Sequence, residues 1–247
     1  MMRIKKNKRI GNVIFVVEGE KSEPKLIRDV FQKIFGFDVY QTNKNEDLIR
    51  LGKSTDIYSK VVIITNNKPQ IKCVLNETDY IDNLFGLLTK HNISHDDSAI
   101  YYIFDKDDND EESIISLMDK FTNSRDNEGF EMNGLFLISY PCIESFYANC
   151  FIENHQAESS KSLKKFVNLN RYRNINESAL LNGVTNFYNI VTKDFKIQFD
   201  EFDFDNFGKV NNKIFKAEKD YFLKYKMYKT LSLVFVCLFD LDLVALE

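Results

Sequence analysis

Along the first part of the chain, short apolar runs alternate with longer stretches whose apolar residues recur at helical spacing. Asn12–Val17 (NVIFVV) is a β-branched and aromatic run of strand length. The polar turn EGEKSEP leads into KLIRDVFQKIFG, which has apolar positions at helical spacing and ends at Gly36, a residue suited to close a helix. Ser22 is expected as the N-cap, with Glu23 and Pro24 in the first turn, where a helix accepts them. Phe37–Tyr40 predicts a short strand, Lys60–Thr65 (KVVIIT) another, and Thr78–His91 a helix. Ala99–Phe104 (AIYYIF) is apolar throughout, the mark of a strand buried on both faces, and DKDDNDEE follows at once. A helix continues over Ser113–Phe121. Gly134–Ser139 (GLFLIS) repeats the buried-strand pattern ahead of the helix-like CIESFYANCF. Strands and helices in this alternation predict an α/β fold, a mostly parallel sheet covered by helices on both faces.

From about residue 155 the pattern changes. KSLKKFVNLNRYRNINES is polar and basic, KIQFDEFDFDNFGKV is rich in Phe and Asp, and KIFKAEKDYFLKYKMYK reads as a basic helix carrying aromatic residues. The expected division is a core over 1–153 and a mainly helical extension or subdomain over 154–247. LSLVFVCLFDLDLVAL (231–246) is strongly apolar, but too short to span a bilayer and interrupted by Asp240 and Asp242, so a buried strand or helix is expected and no membrane association. The N-terminus has a basic start and only a short apolar run, which suits a basic arm leading into a strand rather than a signal peptide.

Composition narrows the class. A hydrophobic fraction of 44% and a charged fraction of 28%, with three prolines and nine glycines in 247 residues, exclude collagen-like, linker-rich and disordered chains. Cys73, Cys142, Cys150 and Cys237 are scattered, with no C-x-x-C, and are expected as reduced, buried thiols of a cytoplasmic protein. His91 and His95 have the spacing of two ligands on a helix face, but Asn92 stands where a zincin motif needs Glu, and solvent-exposed histidines are expected instead. The formal net charge of −4 offers no global attraction to nucleic acid, so any such binding must be local.

Two turns concentrate acids where an open parallel sheet binds its ligands, outside the carboxyl ends of the strands. Glu18 follows NVIFVV directly, and Asp105 and Asp107 follow AIYYIF. Packed carboxylates repel and raise one another's pKa unless a cation neutralises them, and hard oxygen donors suit Mg²⁺ or Mn²⁺. One or two such ions can activate water for phosphodiester cleavage. Lys21 and Lys106 stand beside the acids and could meet a phosphate. Placement alone leaves ligation and a purely structural role equally open. For Glu20 the helix macrodipole is a sufficient explanation, and Asp108, Asp110, Glu111 and Glu112 read as a solvated turn opening a helix.

These residues resemble a known family. VIFVVEGEKSEP resembles the first Toprim motif, an apolar strand ending in Glu-Gly, and YYIFDKDD the second, a strand ending in Asp-x-Asp. The order of motifs, with SYPCIESF at 139–146 supplying Pro141, Cys142 and Glu144, is closest to the RloB-like branch. Ser22, Lys106 and Tyr140 are mild departures from that pattern, and an insertion is implied around residues 40–75. The likeness covers roughly 12–153. It implies a Toprim fold and Mg²⁺ (or Mn²⁺) held by Glu18, Asp105 and Asp107, with Glu23 as a further ligand or proton acceptor. It also implies a nuclease acting on RNA, tRNA included, or DNA, in anti-phage defence or abortive infection, with an ATPase partner protein. The oligomeric state stays open, a homo-oligomer included.

Other classes fit less well. An EF-hand would need Gly where Asp110 stands and Glu where Ser116 stands. A haloacid-dehalogenase-type phosphatase would carry its Asp-x-Asp after the first strand. The non-enzymatic alternative is a Toprim scaffold that binds nucleic acid or an ATPase and cuts nothing. In it, the mixed surface of Phe215, Lys216, Lys219, Tyr221, Phe222, Lys224, Tyr225 and Lys226 would stack bases, although an amphipathic helix with an aromatic core side is the expected reading. Lys161, Lys164, Lys165, Arg171 and Arg173 form a second basic stretch, expected as a solvated face, with Lys164 and Lys165 as candidate nucleic-acid contacts.

Overall fold

The computed structural model describes residues 2–43, 48–65, 71, 77–106, 109–125 and 134–246. The elements run β1 (Met2–Ile4), β2 (Asn12–Val17), α1 (Ser22–Lys33), β3 (Asp38–Asn43), β4 (Leu48–Lys53), β5 (Asp56–Thr65), α2 (Glu77–Lys90), β6 (Ser98–Asp105), α3 (Glu111–Lys120), β7 (Leu135–Tyr140) and α4 (Glu144–Phe151). Then come β8 (Gln156–Ala157), α5 (Ser160–Leu169), α6 (Glu177–Asn189) with a π-helical turn (Ile190–Asp194), short 3-10 turns, α7 (Gly208–Tyr225), β9 (Tyr228–Lys229), β10 (Leu231–Ser232), α8 (Val234–Asp240) and β11 (Val244–Leu246).

A seven-stranded mixed sheet, in the order β10-β7-β6-β2-β5-β4-β3, carries the core. β2 lies between β5 and β6 and pairs with both in parallel, and β6 pairs in parallel with β7. The apolar runs that predicted these strands are buried along their length, since helices cover both faces. The chain leaves β2 for the β5 side and later crosses back to β6, so the strand order reverses between β2 and β6. That is a Rossmann-like switch point. On the far side, β3, β4 and β5 form an antiparallel meander, which occupies much of the span where the sequence implied an insertion.

α1 buries Leu26, Ile27, Val30 and Phe31 on the sheet, and Phe31 meets Phe15 at 5.6 Å and Phe37 at 5.3 Å between ring centroids. Gly36, with φ of +70°, turns the chain out of this helix in the left-handed region that a side chain would strain. The N-cap differs from expectation. Ser22 is the first helical residue and Lys21 precedes it, without a side-chain cap, while Glu23 in the first turn is buried.

Residues after 153 close back on the sheet rather than standing apart. β10 adds an antiparallel edge to β7, β11 pairs with β1, and α7 packs against α3 and β7. The apolar stretch near the C-terminus thus yields strand, helix and strand in turn, with Val234–Phe239 buried. Among the described residues, no helix is long and apolar enough to cross a membrane.

The described cysteines, Cys142, Cys150 and Cys237, are free and buried as expected, and Cys73 lies outside the described residues. The histidine expectation fails for His95. It is buried beyond the end of α2, with its ring edge-on to Phe85 at 5.2 Å and Nε2 3.1 Å from Asp96, because the turn at Asn92 carries it under the helix.

Candidate functional site

The switch point brings two acids together from distant parts of the chain. Val17 lies opposite Ile103 in the β2–β6 pairing, and the Glu18 N–H donates to the Ile103 carbonyl at 3.2 Å. The Asp105 N–H in turn donates to Glu18 Oε2 at 2.9 Å, across 87 positions of sequence. Asp105 is only 6% exposed. Its Oδ1 accepts the Ile143 N–H at 2.7 Å, so the segment after β7 also orients it, and Lys164 Nζ stands 3.9 Å from Oδ2.

Further acids gather around this pair. Glu23, in the first turn of α1, folds back over Gly19, where an added Cβ would collide with Glu23 Oε2. The glycine of the EGEKSEP turn therefore makes room for a carboxylate. Burial pushes the Glu23 carboxyl above its usual range, against its own backbone N–H; the Glu144 carboxylate pushes the same way, and Lys164 and Arg173 offset part of it. Glu144, at the start of α4, is 1% exposed. Its Oε1 accepts from Arg173 Nη2 at 2.6 Å, and Oε2 is buried without an N–H or O–H donor. The Arg173 guanidinium also lies over the Tyr147 ring, 5.4 Å from its centroid. The Cys142 thiol is pushed far up, first by burial and then by Asp105 and Glu144, so it stays protonated and is no nucleophile at neutral pH.

Glu18, Glu23 and Asp105, anticipated from the motifs, thus stand at one edge of the sheet. Asp107 and Asp108 lie outside the described residues. Lys21 and Lys165 are exposed, and Lys106 donates through Nζ to the Asn109 carbonyl at 2.8 Å. Asp110 caps α3 by accepting from the Ser113 N–H, in line with a helix-opening turn. The basic stretch departs from the expected solvated face. Lys161, Lys165 and Arg171 are exposed, but Lys164 and Arg173 turn toward the carboxylates. Glu144 and Arg173 were missing from the sequence-derived site. The P-C-x-E segment signalled Glu144, whereas Arg173 sits in a turn after α5, where no periodicity reveals its direction.

Among the described residues, no three His, Cys, Asp or Glu side chains are arranged as a ready metal-ligand set. The donor chemistry nevertheless fits a hard divalent cation. Glu18, Glu23, Asp105 and Glu144 bring four carboxyl groups against the two cations Lys164 and Arg173, and one buried carboxylate oxygen has no N–H or O–H donor. No protein-family model matches the chain, and no curated protein or solved structure shows significant similarity to it.

Proposed function

We propose that the chain is a metal-dependent nuclease of Toprim type that hydrolyses phosphodiester bonds in RNA or DNA. The observation that supports it most is the contact of Glu18 with Asp105 at the switch point, the position an open parallel sheet uses for ligands. Glu18 and Asp105, with Asp107 and Glu23, would hold Mg²⁺ or Mn²⁺, which supplies an activated water and offsets charge on the phosphate. Lys164, next to Asp105, meets a phosphate oxygen, and Arg173 holds Glu144 in place beneath. Where it does not ligate the ion, the Glu23 carboxyl would instead be the acceptor of the proton released by the attacking water. A defence or abortive-infection role and an ATPase partner rest on the sequence resemblance alone.

One observation favours a second reading. The chain's own cations already answer part of the carboxylate charge, as a non-catalytic scaffold would need. A cleavage assay on mixed tRNA, single-stranded RNA, and single- and double-stranded DNA separates the two. It uses Mg²⁺, Mn²⁺ or EDTA, with a Glu18→Ala/Asp105→Ala double variant beside wild type. Metal-dependent cutting that is lost in the variant supports the nuclease. No cutting, together with no Mn²⁺ binding, supports the scaffold.

A further inference from the structure

Two adjacent pockets open beside the carboxylate site, one lined by Lys164, which faces Asp105, and the other by Lys106, the next residue in the chain after Asp105. The larger, of about 500 Å³, is lined by Ser159, Ser160, Lys161 and Lys164 at the start of α5, together with Phe222 and Tyr228. The smaller, of about 110 Å³, is lined by Lys106, Tyr140, Phe215 and Glu218, and again by Phe222 and Tyr228. Lys164 reaches to 3.9 Å from Asp105 Oδ2, and Lys106 follows Asp105 in the chain. The pockets therefore flank the point where a phosphate would react.

The shared wall is aromatic. Phe222 and Tyr228 pack together at 4.5 Å between centroids with a 32° tilt, and both rings are half-buried. They leave no gap for a third ring between them, so a planar ligand adds to an outer face. The smaller pocket also has polar groups in its lining that the fold does not satisfy. Glu218 is 2% exposed; its Oε1 accepts the Lys229 N–H at 2.7 Å, while its Oε2 is buried without a partner. The Tyr140 hydroxyl is likewise buried without a partner. Such groups normally find a bond, and unpaired ones call for an explanation. The larger pocket is the more basic in balance, with two lysines against one acid, Glu158, and the capped first turn of α5, whereas the smaller sets Lys106 and Lys219 against Glu111 and Glu218.

We propose that these pockets receive an unpaired nucleic-acid strand, with a base stacked on Phe222 and Tyr228 beside Glu218 and Tyr140, and its flanking phosphates on Lys161 and Lys164. A paired base would first have to leave its stack, at a cost in free energy, so a single strand or a loop is the preferred ligand. This inference rests on the nuclease reading for its orientation, but its test does not need cleavage. RNA and DNA share the recognised chemistry.

The test is fluorescence anisotropy of the full chain in EDTA with short labelled oligonucleotides, as single-stranded RNA, single-stranded DNA and duplex. Wild type is expected to bind at least one single strand more tightly than the duplex. Phe222→Leu and Tyr228→Leu keep an apolar side chain but remove the stacking face, and each should weaken binding roughly ten-fold. Tyr225→Leu, exposed on the same helix and lining neither pocket, should leave it unchanged. Glu218→Gln should alter the preference among homopolymers while the salt dependence persists. Duplex bound as tightly as single strands, or equal losses for Tyr225→Leu and Phe222→Leu at unchanged melting temperature, would overturn the proposal. The two readings fail separately. Single-strand binding that depends on Phe222, without metal-dependent cutting, removes the nuclease and keeps the subsite. Cutting at wild-type rate by Phe222→Leu and Tyr228→Leu, with unchanged affinity, removes the subsite and keeps the nuclease.

Discussion

One strand, β6, serves two acidic clusters, and they are built in opposite ways. In mid-strand, the Tyr101 hydroxyl donates to Asp240 Oδ2 at 2.5 Å, Ser124 Oγ donates to the same oxygen at 2.6 Å, and Arg125 Nη1 reaches Oδ1 at 2.6 Å. Both oxygens of Asp240 are answered by the chain itself, and the group ties α8 to the sheet. Four residues along the same strand, Asp105 joins Glu18, Glu23 and Glu144, where acids outnumber cations and Glu144 Oε2 is left without an N–H or O–H donor. Buried acids are stable when paired and costly when not. A satisfied cluster therefore reads as structure, and an unsatisfied one as a place kept for a ligand.

Matched substitutions sharpen that contrast. Asp105→Asn keeps an oxygen for the Ile143 N–H but removes the charge. It should lower cleavage by about 10³-fold, roughly 4 kcal/mol of barrier, while the melting temperature stays level or rises. Retained cleavage would take Asp105 out of the site. Asp240→Asn should do the reverse. It removes the charge that answers half-exposed Arg125 and the Tyr101 and Ser124 hydroxyls, and should lower stability by about 1–2 kcal/mol in urea unfolding, with cleavage by the folded fraction unchanged. If both substitutions destabilise alike, the distinction between the clusters is lost.

Gly19→Ala probes the space that holds Glu23. The added methyl meets only the flexible end of that side chain, so stability should change by less than about 1 kcal/mol. Displacing the carboxyl should nonetheless cost about ten-fold or more in activity or Mn²⁺ affinity. An active variant would make Glu23 a bystander.

The smallest effect concerns pH. The Glu23 carboxyl is raised in the fold, chiefly by burial, from its usual value of 4.5. The native state therefore prefers the protonated acid. Its contribution is fully present below that usual value and is lost as pH rises through the higher, folded one. In EDTA, Glu23→Gln should melt above wild type at neutral pH, and the gap should close as pH falls below 4.5. A gap that is constant with pH would mean that Glu23 is not strained by its charge.

Much of this arrangement was legible in the sequence. NVIFVV and AIYYIF announce buried parallel strands by composition, and an acid placed directly after such a strand lands at the ligand edge of the sheet. The meeting of Glu18 with Asp105 followed from that rule alone. What stayed hidden depends on tertiary packing. Leu231–Ser232 is too short a strand to show a period, so its place beside β7 could not be read. Lys164 and Arg173 looked like members of a solvated basic run, because charge composition does not say which side of a helix or turn faces an acid. His95 was misjudged for the same reason. Its burial comes from the turn at Asn92, not from any pattern around it.

The most direct test of the central claim is calorimetric titration of Mn²⁺ into wild type and into Glu18→Gln/Asp105→Asn. The account predicts one or two sites in wild type, and their loss in the variant with its melting temperature intact. Equal Mn²⁺ binding by both proteins would contradict it, because the carboxylates at the switch point would then not be the ones kept for a cation.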